Sequence, residues 1–288
     1  MPILSKRIYG KYNIPNTFVK CPCILILMGQ YIQVFAVTLK EYFAYRLNFV
    51  LWRLRVVLST LVTLFLWLGV FDSRLSFGSY SKEQMVSYLL FSSLVTAFIS
   101  SSRVSNLAYE IQSGGIMNLL LKPFSIFGYY AATDAADKLI NSFFGVIEFT
   151  LIVFFFKIHL VIPQQIGWVL LFLISAVCIS FSINLMLSFV GFWTPEVWAP
   201  RFLFMMLVTF VSGAYFPLDL LPPLAYRILL FTPFPYLYFL PTKILINGIQ
   251  PAYFVQQLIC SIGWAIGLFY LARFMWKKGI KDFSFWGR

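Results

Sequence analysis

The chain has 288 residues, of which 60% are hydrophobic and only 11% charged, against about a quarter charged in an ordinary soluble domain. Too few polar side chains are present to cover a water-facing surface, which argues against a soluble enzyme domain and makes lipid the expected solvent. The net charge of +12 then reads as Lys and Arg kept on the cytoplasmic side rather than as a nucleic-acid surface, and no nucleic-acid partner is expected.

In chain order, the first apolar run starts only near Cys23 with no small-residue cleavage site behind it, so no signal peptide is expected. Ile32, Phe35, Ala36, Leu39, Phe43 and Leu47 fall on one helical face, with Gln33, Lys40, Glu41 and Arg46 elsewhere. This predicts an interfacial helix lying along the membrane, its apolar stripe dipping into the bilayer; a partly buried seventh span from Cys23 onward is the alternative. Residues 1–49 are thus assigned as tail and interfacial helix, and 50–288 as a six-helix transmembrane domain.

Five windows are long and apolar enough to cross a bilayer, near 50–71, 84–102, 139–157, 166–190 and 252–275. A sixth follows Pro200 and is short, about 16 residues before Pro217, which suits a helix that ends in protein rather than lipid. Lys6, Arg7, Lys11, Lys20, Lys40, Arg46, Arg53 and Arg55 precede or open the first span, and Arg273, Lys277, Lys278, Lys281 and Arg288 close the last. Both ends therefore read as cytoplasmic, and six crossings close that topology. The expected class is an all-α protein, multi-pass in the inner (plasma) membrane.

Two stretches break the up-and-down pattern. Between the second and third windows, residues 108–130 read AYEIQSGGIMNLLLKPFSIFGYY. Gly114 and Gly115 permit a tight turn, Ile116, Leu119 and Leu120 form a short apolar face, and Pro123 ends the piece after Lys122. Such an element suits docking to a soluble partner, or else packs on its own helix ends. The second break, residues 212–248, is apolar but interrupted by Pro217, Pro222, Pro223, Pro233, Pro235 and Pro241. No single helix passes through that many prolines, so two short helices near 219–231 and 236–246 are expected to dip in and return. This hairpin serves either as a gate lining the outer side of a pathway or as a structural plug, with Tyr215, Tyr236 and Tyr238 at the headgroup level.

With these two stretches, an interfacial N-terminal helix and six spans, the chain resembles the permease subunits of type 2 ATP-binding-cassette exporters. EIQSGGIMNLLLKPFS at 110–125, SGAYFPLDLLP at 212–222 and TPFPYLYFLP at 232–241 resemble signatures of a bacterial branch without assigned function, and the likeness spans nearly the whole chain from about Tyr31. The resemblance implies a coupling helix that sits in a groove of a separate ATPase subunit, placing Glu110, Ile111, Gly114, Gly115, Ile116, Leu119, Leu120 and Lys122 in that role. It also implies an outer re-entrant element carrying Pro217, Asp219, Pro222, Pro233, Pro235 and Pro241. The expected partners are the cytoplasmic ATPase, a second permease chain, identical or similar, and membrane lipid. No cofactor is expected on this chain, with ATP and Mg held by the partner. Residues 1–30 lie outside what the family pattern needs.

Among polar groups within the windows, Glu148 falls near the middle of the third, where a carboxylate usually faces the bundle interior with a partner. Asn184 or a neighbouring Ser is the expected hydrogen-bond partner, and its role is either glue between helices or a pathway contact. Arg53 and Arg55 are expected to snorkel to headgroups, Asp134 and Lys138 to pair one helical turn apart, and Glu196 and Arg201 to flank the cytoplasmic start of the fifth span. No G-x-x-x-x-G-K-[ST] loop is present, so ATP is not cradled here in the usual way. Cys21, Cys23, Cys178 and Cys260 form no spaced metal set, and the single His159 completes none. The competing reading is an intramembrane lipid-modifying enzyme using Glu148 or Asp134 as acid or base. A passive channel would need a more polar stripe than any one span carries.

Overall fold

The computed structural model describes residues 22–162, 165–248 and 250–283; the basic residues Lys6, Arg7, Lys11, Lys20 and Arg288, with Cys21, lie outside these. The described chain is all-α apart from one small turn. Its helices are α1 (Pro22–Ala44) and α2 (Arg46–Asp72), then α3 (Lys82–Ile99), α4 (Ser105–Gln112), α5 (Ile116–Leu120) and α6 (Ile126–Phe156). There follow α7 (Ile166–Phe189), α8 (Trp198–Val211), α9 (Pro223–Leu230), α10 (Phe239–Asn247) and α11 (Pro251–Asp282). Two-residue strands β1 (Ser76–Phe77) and β2 (Tyr80–Ser81) pair antiparallel between α2 and α3.

Among the described residues, four helices are long and apolar enough to cross a membrane: α2, α6, α7 with its short extension to Phe192, and α11. The other two predicted windows also form helices, α3 of 18 residues and α8 of 14. The third window proves much longer than its apolar run: α6 starts at Ile126, shortly after Pro123, so Tyr129 and Tyr130 of the first break belong to it, and Asp134 and Lys138 lie on it as their helical spacing predicts.

The centre of the molecule is α3, which packs on α2, α6, α7 and α10. Met85, Tyr88, Leu89, Leu90, Phe91, Val95 and Ile99 are all buried along it, so apolar residues cover nearly its full circumference, as an interior helix requires. Its start is fixed by a capping box: Ser81 Oγ accepts from the Gln84 N–H at 3.3 Å and the Ser81 N–H donates to Gln84 Oε1 at 3.0 Å. Gly145 of α6 lies where an added Cβ would come within 3.0 Å of the Ala97 Cβ, so its bare Cα lets α6 and α3 approach.

Helix α1 breaks from α2 at Tyr45 and lies against α6. Its contact face carries Tyr31 and Thr38, while Ile32 and Phe43, members of the predicted apolar stripe, point away from the protein. The Tyr31 hydroxyl accepts from the Ser125 N–H at 3.2 Å, and its ring covers Gly128, where a Cβ would fall 2.7 Å away. Leu47, counted on the same stripe, sits beyond the break on α2.

Candidate functional site: a polar groove, a short helix pair and a proline hairpin

The first break forms two short helices, α4 and α5, joined through Gly114 at φ +76°, a left-handed turn that glycine adopts without strain. Val104, Leu107, Ile111, Ile116 and Leu119 turn inward and pack with Ile126, Tyr130, Leu185, Phe189 and Ala272. The apolar face formed by Ile116 and Leu119 is therefore covered by the chain's own α6, α7 and α11. The outward face of the pair presents Tyr109, 70% exposed, and Leu121, 81% exposed, with Leu120 and Lys122 beside them. Of the residues expected to couple, Ile111, Ile116 and Leu119 are thus packing residues, while Glu110, Leu120 and Lys122 lie at or near the surface.

Glu148 and Arg53 meet, contrary to the expectation for both. Arg53 is 6% exposed rather than snorkelling; its Nε donates to Glu148 Oε1 at 2.6 Å, its Nη2 to Glu148 Oε2, and its Nη1 to Asn141 Oδ1 at 3.1 Å. Asn184, the expected partner of Glu148, instead accepts from Arg201, which also donates to Ser188 Oγ at 3.2 Å. The physical reason is reach: α2 lies beside α6, so a guanidinium two turns into α2 faces Glu148 directly and satisfies it better than an amide two helices away. Asp134 and Lys138 do pair, at 3.0 Å, and the ammonium also donates to the Ile99 and Ser101 carbonyls at 3.2 and 2.6 Å. Arg103 joins α1 to α6 by pairing with Glu41 and lying 3.6 Å from Asp137.

Arg53 opens onto a groove of about 410 Å³ between α2, α3 and α8. Ser59, Thr60 and Thr63 of α2, Ser93 and Thr96 of α3, and Thr209 of α8 line it, with Leu64, Leu89 and Leu90 between them. A second space of about 590 Å³ continues it past Trp52, Ser100, Ser101 and Asn141 toward Arg103 and Asp137. The sequence missed this groove because its polar stripe is divided over three helices, with no one span polar enough to notice. The legible signal was the run of hydroxyls at helical spacing, Ser59 with Thr63 and Ser93 with Thr96.

The second break is a proline-punctuated hairpin: a 3₁₀ turn at Leu218–Leu220, α9, a second 3₁₀ turn at Phe234–Tyr236, and α10. The two predicted helices are present, but they differ in depth. Helix α10 is buried between α3 and α7, whereas Leu224 and Ile228 of α9 and Phe231 just after it are exposed. Where α8 ends, irregular backbone with Gly213 at φ +81° would leave carbonyls unsatisfied in an apolar surround. Side chains complete it: Tyr88 Oη donates to Gly213 O at 2.7 Å, Ser92 Oγ to Ala214 O at 3.1 Å and Trp67 Nε1 to Tyr215 O at 3.0 Å. Tyr236 and Tyr238, expected to face the headgroups, are instead buried in protein. Tyr238 bonds Ser100, and Tyr236 donates its hydroxyl proton among acceptors that include Gln257 Oε1 at 3.2 Å; their rings fill protein because proline turns the chain inward there.

Asp219 ties the hairpin to the β1–β2 turn. Its carboxylate accepts from Tyr80 Oη at 2.9 Å and from Lys243 Nζ at 2.9 Å. Burial first, then the Asp219 charge, holds the Tyr80 phenol well above its ordinary pKa, so it stays a donor. Gly78, at φ +60°, lets that turn close over Leu220, which a Cβ would meet at 2.5 Å.

Residues 57–287 match the family model described as ABC-2 family transporter protein. No curated protein matches the chain.

Proposed function

As the chain belongs to the ABC-2 family of transporter membrane proteins, we propose that it is the membrane-spanning permease of an ATP-driven exporter, working with a separate ATP-binding-cassette ATPase and a second permease chain. In this reading α3 and α8 complete six crossings in the cell's inner membrane, with both termini cytoplasmic. Helix α3 needs little lipid-facing surface because α2, α6, α7 and α10 surround it, and α8 ends in protein at the hairpin rather than in lipid.

The observation that carries the proposal is the two-faced α4–α5 pair. One face is fixed to the chain's own core, and the other leaves Tyr109, Leu120 and Leu121 open to solvent. Large apolar side chains clustered outside any span favour a protein partner that covers them. An ATPase that holds this face moves α6, which is separated from α5 by five residues. The groove between α2, α3 and α8 is then one wall of the path, closed by a second permease and lidded outside by the proline hairpin. ATP and Mg belong to the ATPase.

Co-purification of the tagged chain with a co-expressed ATP-binding-cassette ATPase tests this. Leu121→Arg is expected to abolish association while the chain still inserts and unfolds normally, whereas Leu119→Arg disrupts folding itself. Undiminished association of the Leu121→Arg and Tyr109→Arg variants overturns the docking assignment. The lipid-modifying enzyme is not favoured, since its two candidate carboxylates, Glu148 and Asp134, are held by Arg53 and Lys138.

A further inference from the structure

The groove between α2, α3 and α8 is lined by two arginines in different electrostatic situations. Arg53 is neutralised by Glu148. Arg55 has no carboxylate partner within 4.0 Å among the described residues, and its guanidinium carbon lies 4.0 Å from the centre of the Trp52 ring. An aromatic face orients a cation without cancelling its charge. Arg55 lies nine residues into a 27-residue apolar helix, about 14 Å from its first residue at 1.5 Å per residue, and its side chain is exposed along the open side of the groove, so its charge is free to meet a ligand there.

Two further polar groups of the same groove are unsatisfied: Thr96 Oγ1 and Ser101 Oγ are buried without a hydrogen-bond partner. The rest of the wall is apolar, with Val56, Leu64, Leu89, Leu90 and Ala214. A fixed positive charge, spare hydroxyls and a hydrocarbon wall in a volume of about 410 Å³, within the range of small-ligand sites, complement one kind of molecule.

We propose that this groove takes an anionic amphiphile, a phosphate, sulfate or carboxylate head on one apolar chain, with Arg55 as its counter-ion and the Thr96 and Ser101 hydroxyls, brought to the groove by a side-chain rotation, as further contacts. The inference rests on reading the groove as the cargo path, and it excludes cationic amphiphiles as preferred cargo because the free charge has the wrong sign for them.

The test uses the purified full chain in neutral maltoside micelles, without the ATPase, and follows thermal unfolding by tryptophan fluorescence. Dodecyl phosphate should raise Tm saturably and dodecyltrimethylammonium at the same concentration should not. Arg55→Gln should weaken the phosphate response about tenfold, the factor for one lost charge-assisted contact. Arg55→Lys should retain most of it, and Arg74→Gln, outside the groove, all of it. Thr96→Val supplies a second groove variant, expected to weaken the response without removing a charge. Repeating the titration in phosphatidylcholine and phosphatidylglycerol nanodiscs separates sources. Suppression only by phosphatidylglycerol identifies a bilayer headgroup as the anionic occupant, and an unchanged response identifies a free amphiphile. Equal stabilisation by the cationic probe, an undiminished response in Arg55→Gln, or no response in any medium overturns the proposal. Loss of probe binding with ATPase co-purification intact removes the anion site alone; the converse removes the coupling reading alone.

Discussion

Arg53 and Glu148, 95 residues apart in the chain, form a two-pronged ion pair between α2 and α6, with Asn141 as a third member. Their side chains are 8% and 16% exposed, so each is the main compensation for the other's lost hydration.

Removing one partner should therefore hurt more than removing both. Arg53→Met or Glu148→Leu alone is expected to cost about 3–5 kcal/mol, because an uncompensated charge stays buried, and the double variant should recover much of that. Thermal unfolding of the three variants in detergent measures it; a double variant as unstable as the sum of the singles would show that the pair is not coupled.

The crossing of α3 is open to a direct check. Ser79→Cys and Gln250→Cys should react with an impermeant maleimide from outside intact cells, and Asn118→Cys only after the cells are opened. All three positions are exposed. Labelling of residues 79 and 118 from the same side would mean that α3 does not cross, and the six-span reading would fall.

Docking of α1 depends on the bare Cα of Gly128 beneath the Tyr31 ring. Gly128→Val should push that ring away and cost about 1–3 kcal/mol, the usual range for overfilling a packed contact. Limited proteolysis should then cut within 22–44 faster than in the parent chain, with α2 onward still protected. Tyr31→Ala in the same background should remove the extra strain.

The tie between Tyr80 and Asp219 has a defined pH signature. The folded phenol is held protonated well above its ordinary pKa by burial and the Asp219 charge, while the unfolded phenol ionises near pH 10. Its contribution is thus fully present below about pH 10 and is lost as pH rises beyond that value, where only the unfolded chain releases the proton. Unfolding curves at pH 8 to 11 should show the parent losing stability above pH 10 more steeply than Tyr80→Phe. At pH 8 the Phe variant should be less stable by about 0.5–1.5 kcal/mol.

Helical content and the two breaks were legible because they depend on local chemistry: apolar runs of spanning length, Gly114 and Gly115 at one turn, and proline after proline from 217 to 241. The Asp134–Lys138 pair was legible for the same reason, four residues apart on one helix. What escaped was tertiary. Nothing near Arg53 in the chain announces Glu148, and the pair exists only because α2 lies along α6. Nor does Ile116 differ in sequence from a residue awaiting a partner, until Phe189 and Ala272 are seen to cover it. Tyr238 likewise reads as an interface aromatic, but a neighbouring helix brings Ser100 to its hydroxyl.

Helix α6 runs from Ile126 to Phe156 as 31 continuous residues, about 46 Å at 1.5 Å per residue, with its foot just beyond α5 and its far end at the left-handed Lys157. An unbroken α-helix of that length bends little, so it behaves as a stiff lever. A tilt of a few degrees imposed at the foot beside α5 would reappear as a displacement of several ångströms at the far end, with no compliant joint between to absorb it.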